Sequence, residues 1–466
     1  MPDRHTTDLS EIIERQRLTP FIVGLVALSW IVTFFDGFDM SAMSYVAPDL
    51  SAALHLDPLR LGKVFSAAQT GMVFGGFLFG YLGDRIGRRP SIILATASFG
   101  VLTLALALPG SYAPLFALRL VQGIAIGGLL PLAWALNIEY VPRRFRSTVV
   151  TFIMLGYTFG SSSAGAITIP LVPRYGWRSV FVFGGCAALL ATVLLVFFLP
   201  ESLKFLASKG KSPERIAAYA RRLAPERSFS PSARFIVSDE IGATGEKFRV
   251  PLLFRGELRW ITPLIWSAYT VSSVAVFLNS AWGPTILQTV GFSRSTAALA
   301  ISITMICSGI GGLLLTRFID TRGAISVVAF PILAIPILLM MGLTGITGLG
   351  FLALNFFAMM FMLGAHLGIQ SISGIFYPSA YRANGAGWAA SIGKIGSIAG
   401  PLLGGIFLSS HLPVKLVFAF LSICPFLVGI EVLFIGLLQR RMWRRDESLR
   451  ATEPAAPLAA EIASRG

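Results

Sequence analysis

Runs of about 18 apolar residues and more, each nearly free of charge, recur along the whole chain, and no other feature constrains the fold as strongly. Runs of that length read as membrane-spanning helices. Of the 466 residues, 55% are hydrophobic and 13% charged, whereas a soluble chain carries about 25% charged residues. Mean hydropathy is +0.74. The first twenty residues are polar, with no short apolar core of a cleavable leader. Cys186, Cys307 and Cys424 stand apart in apolar segments, so neither a metal site nor a disulfide framework is expected.

The pattern predicts helices over 20–46, 61–82, 91–109, 114–139, 148–170 and 179–199, then over 259–287, 295–317, 324–343, 348–376, 386–407 and 414–438. The expected fold is an all-α polytopic membrane protein of twelve transmembrane helices in two pseudo-symmetric six-helix bundles. Its parts are a tail (1–19), a first bundle (20–199), a polar central loop (200–258), a second bundle (259–438) and a second tail (439–466). Basic residues set the orientation. With the first residue inside, 30 of the 38 Lys and Arg fall on inner segments and 6 on outer ones. Both termini are therefore expected in the cytoplasm. The net charge of +15 then faces an anionic inner leaflet, and no nucleic-acid partner is needed to explain it.

The halves echo each other. GGFLFGYLGDRIGRRP follows the second helix and GGLLLTRFIDTRGAIS the eighth, which sets Asp84 opposite Asp320 and Gly87 opposite Gly323. Two related bundles around a midplane site are the common plan of a secondary transporter. In GYLGDRIGRR, Gly87 permits a tight turn and Arg88 and Arg89 stay in water. Asp84 is able to accept bonds from a helix amino terminus or an Arg, a contact that would hold one conformation. A plain basic turn is the simpler alternative. The motif, between the second and third of twelve helices and with Gly80 at its head, resembles the signature of the major facilitator superfamily; the copy at Asp320 is degraded, with Thr316 where Gly is usual.

Each ionisable group at membrane depth costs at least roughly 2.5–3.5 kcal/mol, so it is a functional candidate. Asp36 and Asp39, in FFDGFDM, share one face of the first helix at i and i+3. Asp36 lies roughly 24 Å from Pro20, in the outer half, at the level of Arg119 in the fourth helix. Arg119 is expected to pair with at least one of the acids, and two close carboxylates titrate as a coupled unit suited to carrying protons. A permanent ion network is the competing reading. Lys394, in SIGKIGSIAGPLLGG, sits near the midplane and suits an anionic substrate, unless it snorkels to the inner surface. His366 and Gln370 are one turn apart, and either a proton relay or a structural hydrogen bond fits. Glu139 closes the fourth helix as an inner-gate acid, whereas Glu431 has no assigned role. Gln122, Trp266, Tyr269, Asn279 and Asn355 are among the polar and aromatic groups able to line a path.

DGFD in the first helix, GDRIGRR after the second, RLVQGIAIGGLLP with EYVPRRFRS in the fourth, and YPSAYRANGAGW with GKIG in the eleventh together resemble the aromatic acid:proton symporter family, which includes benzoate and 4-hydroxybenzoate permeases. The resemblance spans nearly the whole transmembrane part. It implies proton-coupled roles for Asp36, Asp39 and Arg119, and gating roles for Gly80, Asp84, Gly87, Arg88, Glu139, Asp320 and Arg382. The residues themselves, by charge, polarity or aromatic ring at membrane depth, make Lys394, Arg119, Asp39, His366, Gln370, Trp266, Tyr269 and Asn279 the candidate substrate contacts. Lys394 stands where relatives often carry Arg, which replaces a two-pronged donor by a point charge. The implied activity is uptake of a small aromatic carboxylate with protons across a bacterial inner membrane, by a monomer without a cofactor. Alternatives are an aliphatic or sugar acid, or efflux, although GYTFGSSSAG lacks the proline of the usual antiporter pattern. No phosphate loop, nucleophile elbow or metal spacing supports an enzyme.

Overall fold

The computed structural model describes residues 6–16, 19–209, 212–224, 234–236, 248–344, 346–377, 381–410 and 412–452. Two three-residue strands, β1 (Thr6–Asp8) and β2 (Arg234–Ile236), pair in parallel. Everything else of length is helical. After α1 (Leu9–Arg15) come α2 (Pro20–Leu54), α3 (Pro58–Ile86) and α4 (Arg88–Ala105). The fourth pass breaks at Gly128 into α5 (Tyr112–Gly127) and α6 (Leu129–Tyr140), and α7 (Arg146–Tyr175) and α8 (Arg178–Phe198) complete the first six passes. Two short helices, α9 (Leu203–Ser208) and α10 (Pro213–Leu223), lie in the central segment. The second six are α11 (Leu258–Thr289), α12 (Arg294–Arg322), α13 (Ala329–Leu343) behind a 3₁₀ turn, α14 (Gly348–Phe376), α15 (Arg382–Ser409), and α16 (Val414–Leu421) continued by α17 (Ile423–Thr452). Nine passes among the described residues are long and apolar enough to cross a bilayer on those grounds alone. The other three, α3, α4 and α12, are richer in small and hydroxylated residues.

Outward-turned Phe74, Phe77, Leu108, Leu190, Phe197 and Leu349 give the exterior an apolar surface, as a lipid-facing bundle requires. Within the first bundle α2 packs on α7 and α3 on α5; within the second α11 packs on α15 and α12 on α14. Three pairs join the bundles: α3 with α15, α7 with α12, and α2 with α11. Their polar contacts gather toward the end that the basic-residue count puts outside. Ser66 Oγ donates to Ile398 O at 2.7 Å, Ser44 Oγ donates to Ser280 O at 2.8 Å, and the hydroxyls of Tyr45 and Ser302 meet at 3.5 Å. Arg294 forms an ion pair with Asp49 there.

Two expectations need correction. The first helix does not stop at 46 but runs through Pro48 to Leu54. Proline removes one ladder hydrogen bond, and the complete burial of Ala47 and Leu50 holds the extension in place. Asp36 is therefore 16 residues from one end of α2 and 18 from the other, at the middle of the pass rather than in its outer half. The segment 1–19 is also more than a polar tail. Leu9, Ile12, Ile13 and Gln16 fall at i, i+3, i+4 and i+7, and all four are buried. The three apolar ones join Ile216, Leu223 and Phe235 of the central segment in one core.

The internal echo has a backbone counterpart. Gly87 (φ 110°) ends α3 and Gly323 (φ 75°) ends α12, both in the region that favours glycine. The α2–α7 seam depends on a different property of glycine. A Cβ at Gly37 would run into the backbone carbonyl of Tyr157. Gly37→Leu should therefore force α2 and α7 apart and abolish the monodisperse peak in fluorescence-detected size-exclusion chromatography.

Candidate functional site

Asp39 is locked. Arg119 Nη1 donates to Asp39 Oδ2 at 3.0 Å and to Gln122 Oε1 at 2.6 Å. Gln122 Nε2 donates to Asp39 Oδ1 at 2.9 Å and to Thr103 Oγ1 at 2.7 Å. The acid is 2% exposed and the arginine 1%. Both carboxylate oxygens are thus engaged by groups on α5, one turn apart on the same helix face. Sequence reading anticipated the Asp–Arg pair and left open which acid makes it; the geometry assigns Asp39.

Asp36 has the opposite surroundings. It is fully buried, and neither carboxylate oxygen has a hydrogen-bond partner. Its electrostatic neighbours are Asp39, one turn away, Tyr157 of α7 in its own bundle, and Lys394 of α15 in the other bundle. Lys394 is 12 residues from one end of α15 and 15 from the other, so acid and amine lie within electrostatic reach of each other at mid-depth without a hydrogen bond between them.

In the second bundle, His366 Nδ1 and Ser272 Oγ share a hydrogen bond at 2.9 Å, and Gln370 Nε2 lies 3.4 Å from His366 Nε2. The Tyr269 ring meets the imidazole edge-on at 5.1 Å and fills the space over Gly393, next to Lys394. Tyr269, His366 and Gln370 thereby adjoin the Asp36–Lys394 layer. Trp266 instead stacks on Trp388 at 6.1 Å and abuts Phe254. Asn279 is 13 residues further along α11, roughly 20 Å away. One small molecule does not span Trp266 and Asn279 together.

The candidate gating residues on the first inner loop stay within their own bundle. Asp84 is 73% exposed and binds Arg88 Nη1 at 2.5 Å, with no bond to α15 among the described residues. Arg88 Nε lies 3.6 Å from Glu139, whose carboxylate also accepts from Ser202 Oγ. Glu201, which sequence reading passed over, accepts from the backbone N–H groups of Arg88 and Arg89 at 2.8 and 3.1 Å and caps α4. Gly87 backs onto the Glu201 carboxylate, whereas Gly80 faces open space. Arg382 Nε donates to Tyr377 O at 3.2 Å at the start of α15. The Asp320 side chain lies outside the described residues. Glu431 accepts from Ser267 at 2.5 Å and links α17 to α11. Asp49 and Arg294 were also passed over. Their only sequence signal was two opposite charges beside predicted outer helix ends.

Two six-helix bundles with charges buried at mid-depth between them define a multi-pass membrane carrier. The comparisons agree: residues 29–372 match the model of the Major Facilitator Superfamily, and the chain belongs to that family of transporters. It is not an enzyme. The gallate transporter of Pseudomonas putida is 31% identical over 441 residues, covering 92% of this chain and 95% of that one. The 4-hydroxybenzoate transporter PcaK of Acinetobacter baylyi is 30% identical, covering 93% and 95%. The inward-open structure of the xylose transporter XylE from E. coli superposes with a TM-score of 0.68 over 89% of this chain and 95% of that one, at 17% identity, a likeness of fold alone.

Removing one member of a buried ion pair strands the other, at a cost of about 3–5 kcal/mol. Asp39→Asn and Arg119→Gln should each lower the melting temperature of the purified protein sharply. The double replacement should recover much of that loss, which a thermal melt in detergent will read directly.

Proposed function

We propose that this chain imports a small aromatic carboxylate together with protons across a bacterial cytoplasmic membrane, by alternating access and as a monomer. The carrying observation is Asp36 itself: a buried acid at mid-depth without hydrogen-bond partners, within electrostatic reach of Lys394 on the other bundle. The transported acids printed in the names of the relatives, gallate and 4-hydroxybenzoate, support the substrate class.

In this reading the segments 20–199 and 259–438 rock against each other, joined by 200–258, with both termini in the cytoplasm. With no substrate bound, Asp36 and Lys394 neutralise each other across the interface. A substrate carboxylate needs the same ammonium, and two anions sharing one cation in low dielectric repel. A proton on Asp36 removes that competition and frees Lys394 for the substrate. Once the carrier turns, loss of the proton returns Lys394 to Asp36 and expels the substrate. Asp39, Arg119 and Gln122 keep the helix face that carries Asp36 rigid while this happens. Tyr269, His366 and Gln370 line the second-bundle side of the site.

The outer closure is held by Asp49–Arg294 with the Ser44, Tyr45 and Ser66 contacts. Asp84 and Arg88, paired with each other here, are free to engage α15 when the inner side closes.

Proteoliposomes test the coupling. An inward proton gradient should drive accumulation of 4-hydroxybenzoate by the parent, and a protonophore should abolish it. Asp36→Asn should lose gradient-driven accumulation and keep substrate exchange; accumulation that survives would remove Asp36 from the proton path. Lys394→Gln should raise the KM at least tenfold. Asp49→Asn, by loosening the outer closure, should shift the carrier outward and increase labelling of outer-face cysteine reporters.

A further inference from the structure

A small, mainly apolar cavity with three polar side chains lies outward of the Asp36–Lys394 layer, between α11, α12 and α14. Its volume is about 20 Å³, and Asn279, Thr304 and Ser308 line it beside Met305, Met359 and Met362. Ser308 is 1% exposed, and its hydroxyl has no hydrogen-bond partner. The Asn279 side chain, 7% exposed, lines the same cavity. Thr304 donates to Ala300 O at 2.7 Å, which leaves its oxygen as an acceptor. Burying a hydroxyl unpaired, as at Ser308, is costly. A buried, unpaired hydroxyl lining a cavity beside an amide therefore marks a place where a partner binds.

Depth connects this cavity with the charged layer. The Tyr45–Ser302 contact puts those two residues at one level. Asp36 is nine residues inward of Tyr45 on α2, and Ser308 is six residues inward of Ser302 on α12. At about 1.5 Å per residue, Ser308 lies only about 5 Å outward of Asp36. The Ser44–Ser280 bond sets Asn279 a few ångströms further out. A benzene ring with a carboxylate at one end and a hydroxyl at the other bridges such an offset.

The lining selects the chemistry. It carries no charge, so the carboxylate belongs at Lys394. Amide and hydroxyl groups pair with a neutral donor and acceptor, and the thioethers make favourable contacts with an aromatic edge. A cavity of about 20 Å³ accommodates one water-sized group, for which ~10–15 Å³ suffices, and not a ring. His366 is a weaker reader because both of its nitrogens already face partners.

Resting on the uptake of aromatic acids proposed above, we infer that Ser308 and Asn279 bind the ring hydroxyl of the substrate and make the carrier selective for hydroxylated over unsubstituted aromatic carboxylates. A site built to bond a hydroxyl discriminates against the analogue that lacks it, because its own polar groups are left unpaired.

The test is uptake of 4-hydroxybenzoate and benzoate into proteoliposomes by the parent, Ser308→Ala and Ser308→Cys, with thermal-shift binding of both acids to each purified protein. The parent should favour 4-hydroxybenzoate at least tenfold in kcat/KM and in thermal-shift affinity, and both variants should lose most of that preference. A parent that takes up both acids without preference, or variants that lose both equally, would overturn the subsite and leave the substrate class standing. Uptake of neither acid by the parent would overturn the substrate class and the subsite with it.

Discussion

A carboxylate and a guanidinium buried side by side at membrane depth are the constraint on which the rest of this structure depends. Neither Asp39 nor Arg119 is tolerable alone in that environment, and together they still need their remaining hydrogen-bonding capacity met. Gln122 meets part of it, from the same face of α5 as Arg119, and passes the chain of bonds to Thr103 on α4. Three helices are thereby set in register around one ion pair. Because that register is rigid, the neighbouring acid on α2 has no choice of surroundings: Asp36 faces the other bundle with nothing from its own to bond it.

Two acids one turn apart thus acquire different chemistry from different partners. Asp39 behaves as part of the scaffold. Asp36 has no hydrogen-bond partner and lies between Tyr157 of its own bundle and the Lys394 amine of the other, which is the arrangement a moving carrier needs. An interaction within one bundle survives rocking, whereas an interaction between bundles is made and broken by it. The same division holds at the two ends of the molecule. Arg88, Glu139, Glu201 and Ser202 tie the inner loops of the first bundle to one another, while Asp49 and Arg294 tie one bundle to the other at the opposite end.

Much of the site was legible because charge is so costly in lipid that each ionisable residue in an apolar run stands out. Asp36, Asp39, Arg119 and Lys394 were visible for that reason, and the pairing of Arg119 with an acid followed from helix rise alone. Neutral groups gave no such signal. Nothing in sequence separates Ser308, unpartnered beside a cavity, from the many serines that bond their own helix backbone. Asp49 and Arg294 were equally silent, since charges at helix ends are ordinary. The outer length of α2 was misread because Pro48 reads locally as a stop, and the buried α1 was missed because its spacing sits in a short polar segment.

By itself the sequence determined the number of passes, the all-helical class and the echo between halves, because hydrophobic length and periodicity are local properties that a bilayer enforces pass by pass. Which carboxylate locks to Arg119 and which confronts Lys394 was decided only by tertiary structure. Both acids lie on one face of one helix, and three residues of spacing give no preference between them. The difference lies in how α2 is rotated against α5 on one side and α15 on the other, and that rotation is a property of the packed bundles.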